Sequence, residues 1–306
     1  MKVRGFGLAG ACLALELQDL GAEVRVMEDG RSGSTVVAAG LVNPVAGKNF
    51  APGERWLRSW KLAEVFYGGL GKDLYHALPI LRLWTDEKDR EKFQRKKDLL
   101  GDFLLRVEGE GAWFGRGGWL DTRAFLQKAR GRFQKNGGHF LPERGASAEG
   151  DVIVDCTGSA GLLSSRFREV AHRCARGEMI DFRLENFPED HIRTGGGWMI
   201  PLGGGVYRAG ATYDWRELQV GVTQAGRMRV LEMVEKLTGR QDVEVIEHRS
   251  GIRPIIRRSQ PLVKKLQNGE WMFNGLGSKG VLHAPTVARN LARHLLRGEE
   301  LDPWFT

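Results

Sequence analysis

Cysteine is scarce in this chain. Its 306 residues include three, Cys12, Cys156 and Cys174, odd in number, widely spaced and in no C-x-x-C pair. That excludes a disulfide framework and a cysteine-based zinc site, and points to reduced thiols in a cytoplasmic protein. The seven histidines are scattered without ligand spacing, so no metal is expected. No G-x-S-x-G elbow is present, which argues against a Ser/His/Asp hydrolase. No apolar run is long enough to span a bilayer, and no apolar stretch follows the N-terminus as in a signal peptide. Internal repeats and low-complexity linkers are lacking too.

Apolar residues make up 42% and charged residues 27% of the chain, an ordinary globular balance. The length exceeds one minimal core, so two domains or one large α/β domain is expected. The formal net charge of +8 raises nucleic acid as a partner. Part of it sits in "DEKDREKFQRKKD", Asp86 to Asp98, where acids and bases alternate as on a solvated helix face. Nucleic acid is therefore not the expected partner, and Arg257 and Arg258 in "RPIIRR" read as surface residues.

Gly5-x-Gly7-x-x-Gly10 follows a short strand, Lys2 to Arg4, and opens a helix from about Ala9 to Leu20. Its glycines suit a tight turn, close backbone approach to a pyrophosphate, and close helix–strand packing. A second strand, Ala22 to Glu28, ends in an acid about twenty residues on, where Glu28 can accept hydrogen bonds from a ribose diol. "GSTVVAAGLVNP" then supplies small residues and hydroxyls, among them Ser34, Thr35, Ala39 and Gly40. A helix is expected around Trp56 to His76, another near Asp121 to Asn136, and a third over Gln224 to Leu237. "DVIVDCTG" reads as a sheet strand ending in Thr157 and Gly158. Between these lie glycine-broken strands: Leu81 to Trp84, Gly111 to Leu120, Glu178 to Leu184, and a hairpin from Trp198 to Tyr213 with Gly203 to Gly205 at its tip.

The far end of the chain repeats the opening device. "NGLGSKG" runs into an amphipathic helix, with Gly275, Gly277, Ser278, Lys279 and Gly280 at its start. A nicotinamide enzyme needs no second turn of this kind. A flavin enzyme of the glutathione-reductase type does, to set a helix N-terminus and the Lys279 charge beneath the ring where negative charge collects on reduction.

In this order, "GFGLAG…E", "STVVAAG", "DCTG", "GIRP" and "NGLGSKG" resemble the FAD-dependent D-amino-acid oxidase superfamily, the group with glycine oxidase and sarcosine oxidase, over nearly the whole chain. The resemblance implies an α/β protein: a glutathione-reductase-type, Rossmann-like FAD domain (1–78, 141–177, 248–306) with an inserted antiparallel β-sheet substrate domain (79–140, 178–247). It also implies that Arg253, in "GIRP", pairs with a substrate carboxylate through its fork of donors. The implied reaction is hydride transfer from an amino acid or N-alkyl amine to flavin N5. "STVVAAG" contains no His or Cys, so FAD is expected to be non-covalent. Trp198, Tyr207 and Tyr213 are candidates for either pocket wall or core. Arg4 departs from the pattern, standing where a buried apolar residue is expected, so either the start of the chain is placed late or this edge is weak. The alternatives are a flavin oxidase acting on modified tRNA, which would be fused to or work with a methyltransferase, and a non-catalytic FAD-binding module.

Overall fold

The computed structural model describes residues 1–306 apart from 32, 47–49, 51–52, 143–150 and 257–259. Arg257 and Arg258 therefore lie outside the described residues. A six-stranded sheet runs in the order Leu262–Lys265, Trp271–Asn274, Ile153–Asp155, Lys2–Arg4, Arg25–Glu28, His139–Pro142. All neighbours are parallel except the outermost Leu262–Lys265. The opening strand is central, not an edge. Arg4 can sit there because its guanidinium bridges the Asp155 carboxylate, 2.9 Å away, and Glu270, also at 2.9 Å. The second strand begins at Arg25, three residues later than its alternation suggested.

The first helix, Leu8–Asp19, buries an unbroken run from Leu8 to Leu17, because it is covered on several sides. The last helix, Gly280–Arg297, packs against it and is amphipathic, burying Val281, Ala284, Val287, Ala288 and Leu291 on one side. Gly298 closes it in the left-handed region (φ 68°). Pro285 lies inside this helix and has no N–H for the carbonyl of Val281, four residues back. The buried Tyr67 hydroxyl donates to that carbonyl at 2.8 Å instead.

The expected helix from Trp56 to His76 is shorter, Gly53–Leu70; the chain turns at Gly71 and Tyr75–Ala77 becomes a strand. Helix Thr122–Lys135 is capped by Asp121, whose carboxylate accepts from Arg123 and Ala124 N–H, both at 3.0 Å. It lies on the first helix, where Gln18 donates to Phe133 O at 3.0 Å.

A second sheet of eight strands runs Glu244–Arg253, Ala175–Arg183, Val206–Gly210, Trp198–Gly203, Ile192–Thr194, Ile80–Leu83, Gly111–Phe114, Leu104–Val107. It is antiparallel apart from the Ile192–Thr194/Ile80–Leu83 pair. The expected hairpin is present, with Gly203, Gly204 and Gly205 all at positive φ. Tyr207 belongs to the core beneath it: fully buried, its hydroxyl donates to Phe187 O at 2.6 Å. The segment limits drawn from sequence at 140, 177 and 247 each fall inside a strand, His139–Pro142, Ala175–Arg183 and Glu244–Arg253. Among the described residues no helix is long and apolar enough to cross a membrane.

Replacing Tyr67 with Phe keeps the packing but leaves Val281 O without a donor. We expect a loss of about 1–3 kcal/mol of stability, read from denaturant midpoints; an unchanged midpoint would mean that the carbonyl finds another partner.

Candidate functional site

A cavity of about 1770 Å³ lies where the two sheets meet, and both glycine turns open into it. At the first, Gly5 takes a positive φ (89°), and a Cβ on Gly10 would stand 1.9 Å from Gly5 O. Only glycine lets the helix come back this close onto its strand. The first turn of this helix has no capping side chain and no acid. Leu8 N–H donates to Thr35 Oγ1 at 3.0 Å, while the N–H groups of Ala9 and Gly10 meet no acceptor among the described residues. These are the open donors a helix N-terminus offers to an anion.

Glu28 stands at the expected end of its strand and lines the cavity, but not alone. Arg130, from helix Thr122–Lys135, donates to its Oε2 at 2.7 Å and lies over the Phe140 ring at 3.9 Å. Nothing in the sequence spacing marked Arg130. Ser34, Thr35, Ala39 and Gly40 all line the cavity. The glycine at 40 is required by its neighbour: φ is 73° and a Cβ would stand 2.0 Å from Leu120 O. Thr157 and Gly158 reach the wall too, with the Thr157 hydroxyl and N–H both given to Asp155 Oδ1 (2.5 and 3.0 Å).

At the second turn the donors differ in detail from expectation. Gly275 N–H goes to Asn274 Oδ1 (2.8 Å), Gly277 N–H to Pro254 O (3.0 Å) and Lys279 N–H to Leu276 O (3.2 Å). These bonds shape the turn. Among the described residues, the N–H groups that meet no acceptor are those of Leu276 and Ser278 in the turn and of Gly280, Val281 and Leu282 in the first helical turn. Ser278 and Lys279 are exposed, Ser278 does not cap the helix, and Lys279 holds the N-cap position. The two helix starts meet: a Cβ on Gly280 would stand 3.0 Å from Leu8 Cδ2.

The second sheet supplies the opposite wall. Arg253 ends its strand inside the cavity, donating to Thr212 O at 3.1 Å with its guanidinium carbon 4.2 Å from the Tyr213 ring centre. No carboxylate among the described residues accepts from it. Burial pushes its pKa below the ordinary arginine value, and the Tyr213 phenol works against that shift. Trp198 and Tyr213 line the cavity; Tyr207 does not. Sequence reasoning missed Arg82, a nearly buried arginine in the apolar strand Ile80–Leu83, which donates to Val45 O at 2.7 Å and pairs with Asp89 at 2.9 Å. A charge within an apolar run was its one visible signal. Cys156 also reaches the wall, where burial and then Asp155 push its thiol well above the usual range.

Unpaired helix donors at two points, a carboxylate at the end of the second strand and a wall of antiparallel strands fit a dinucleotide. Fold and site define a flavin-dependent oxidoreductase. The family model described as DAO, FAD dependent oxidoreductase, matches residues 3–294, and the chain belongs to that family; its cofactor is FAD. Similar curated proteins are the "tRNA 5-methylaminomethyl-2-thiouridine biosynthesis bifunctional protein MnmC" of Maricaulis maris (29% identical, covering 97% of this chain and 52% of the relative) and that of Caulobacter vibrioides (26%, 97% and 54%). The chain thus spans about half the length of the curated relatives it matches. Among solved structures, glycine oxidase from Geobacillus kaustophilus aligns with a TM-score of 0.87 at 19% identity, covering 99% of this chain and 97% of that one. Iminodiacetate oxidase from Chelativorans sp. BNC1 aligns with a TM-score of 0.81 at 20% identity, covering 98% and 96%. These two share the fold.

A side chain at Gly7 would stand at the mouth of the first helix. Gly7→Val should abolish FAD retention, whereas Glu28→Ala, which removes one contact and frees Arg130, should weaken it less. Flavin content after gel filtration checks both; full occupancy in Gly7→Val would move the phosphate site elsewhere.

Proposed function

We propose that this chain oxidises the C–N bond of an amine bearing a carboxylate, most simply an amino acid or N-alkyl amino acid. The observation that carries the reading is Arg253, a half-buried guanidinium in the cavity wall with no anionic partner of its own among the described residues. A partly desolvated cation without a counter-charge is unfavourable, and a planar carboxylate is its natural bidentate complement. An arginine remains charged at neutral pH even when burial lowers its pKa.

Ala9, Gly10 and Glu28 would hold the ADP part of the cofactor, with Thr157 and Gly158 along its path. The Gly280–Leu282 donors and the Lys279 charge would stabilise electron density at the ring. Bound FAD supplies the two-electron acceptor; the protein's share is positioning and electrostatics. Arg253 fixes the carboxylate, and with it the α-carbon, while the Tyr213 ring and Thr212 hold the guanidinium. The amine would react as the neutral base, with its proton leaving to water. No His or Cys lies within Ser34–Gly40, and Cys156 is held as a thiol, which supports non-covalent FAD.

A second reading comes from the names of the curated relatives: an aminomethyl group on a tRNA base. A methylaminomethyl group is itself an N-alkyl amine, so one oxidation would serve both readings. A smaller chamber of about 560 Å³ adjoins the cavity at Tyr213 and Gly277–Lys279. There Arg55 lies over Trp304 (4.9 Å) and Arg173 over Trp215 (4.8 Å), pairing cations with stacking faces as single-stranded RNA sites do. The chain spans about half the length of those relatives, so the lack of a methyltransferase segment in these 306 residues does not weigh against RNA. Flavin reduction by undermodified tRNA, against its absence with free amino acids, would favour this second reading.

Arg253→Ala should cut kcat/KM for a carboxylate substrate by about 2–5 kcal/mol, or roughly 30- to several-thousand-fold. Arg253→Lys should lose less, and neither should strip the flavin. Anaerobic reduction rates for a carboxylate substrate and its decarboxylated amine make the test. Equal slowing of both, or of neither, would make Arg253 structural.

A further inference from the structure

Ala175–Arg183 runs antiparallel to Glu244–Arg253, with Ala175 opposite Arg253 and Gly177 opposite Gly251. Strand alternation sets residues 175, 177, 251 and 253 on one face, and Gly177, Gly251 and Arg253 line the cavity. Gly177 is thus the diagonal neighbour of Arg253, within reach of a long side chain. The guanidinium lies directly over it. A Cβ on Gly177 would stand 2.1 Å from Nη1, 2.2 Å from Nη2 and 2.3 Å from Cζ.

Gly177 is not among the glycines at positive φ, so its backbone does not call for glycine; the space above it does. The other contacts of the fork are themselves held. Thr212, whose carbonyl takes Nη1, gives its N–H to Glu178 O at 3.1 Å, and its hydroxyl accepts from Glu178 N–H at 2.9 Å. One strand therefore carries both the bare backbone under Arg253 and, at the next residue, the anchor of the carbonyl that orients it.

We infer that Gly177 is a positioning and specificity-determining residue: its missing side chain is the slot that seats the Arg253 fork for a carboxylate-bearing substrate. This rests on the reading of Arg253 as the carboxylate partner. A methyl group at 177 would lift the guanidinium out of its seat and away from Thr212 O. The obstruction is the far end of a flexible side chain, so the fold can absorb it. At Gly10 and Gly40 the obstruction is a backbone carbonyl, at 1.9 and 2.0 Å, and the fold cannot.

The experiment is titration of acetate and of benzoate into flavin-loaded wild type, Gly177→Ala, Arg253→Ala and the double variant, read by the change in the flavin spectrum. Gly177→Ala should keep its FAD and its cooperative unfolding, and bind both carboxylates roughly 10- to 100-fold more weakly, the scale of an ångström-level misplacement. The double variant should bind no more weakly than Arg253→Ala alone. Wild-type affinity in Gly177→Ala would overturn the inference. So would a loss that is the same whether or not Arg253 is present, or a failure of Gly177→Ala to fold, which would make Gly177 a packing glycine. If Arg253→Ala binds acetate and benzoate as wild type does, the carboxylate reading itself fails and the inference falls with it.

Discussion

Two helix N-termini converge at the contact between Gly280 and Leu8, and the rest of the structure follows from that meeting. Each start carries unpaired N–H groups and a partial positive charge, and neither has an acidic residue in its first turn. Like partial charges brought together are unfavourable unless something electron-rich lies against them. Pyrophosphate at one helix and a reduced, electron-rich flavin ring near the other would meet that need. Gly10 lets the first helix close onto its own strand, Gly280 leaves room for Leu8, and Tyr67 supplies a donor to the carbonyl that Pro285 leaves open. A ligand that binds only this folded arrangement also stabilises it.

The substrate side is tied to the same point. Pro254 O accepts from Gly277 N–H at 3.0 Å, so the residue after Arg253 is bonded to the turn that starts the last helix. The wall that would bind the substrate and the cradle that would hold the ring are therefore joined by a backbone hydrogen bond. Arg253 and Gly177 come from adjoining strands of the second sheet, and Thr212 and Tyr213 from the segment that follows its strand Val206–Gly210. Oxidation chemistry needs this coupling, because a displaced α-carbon loses rate steeply.

Much of this was legible from residues alone. The glycine spacing 5-7-10, the acid at 28 and the turn before 280 each follow from steric or electrostatic necessity that one sequence can display. The hidden parts depended on neighbours remote in sequence. Arg4 looked misplaced until Asp155 and Glu270 stood beside it. Glu28 looked unpaired until Arg130 reached it. Tyr207 could have been wall or core, since strand alternation alone does not say which sheet face is covered. Gly177 resembled any strand glycine, because its role is a space that belongs to another residue's side chain.

The central claim is that one cradle holds FAD and presents Arg253 to the carboxylate of an amine. Anaerobic mixing of the purified flavoprotein with N-methyl amino acids, amino acids and their decarboxylated counterparts tests it most directly, read as bleaching of the flavin absorbance. The account predicts full bleaching by at least one carboxylate-bearing amine and much slower bleaching by the same amine without its carboxylate. Bleaching by neither, or by both at the same rate, would contradict it.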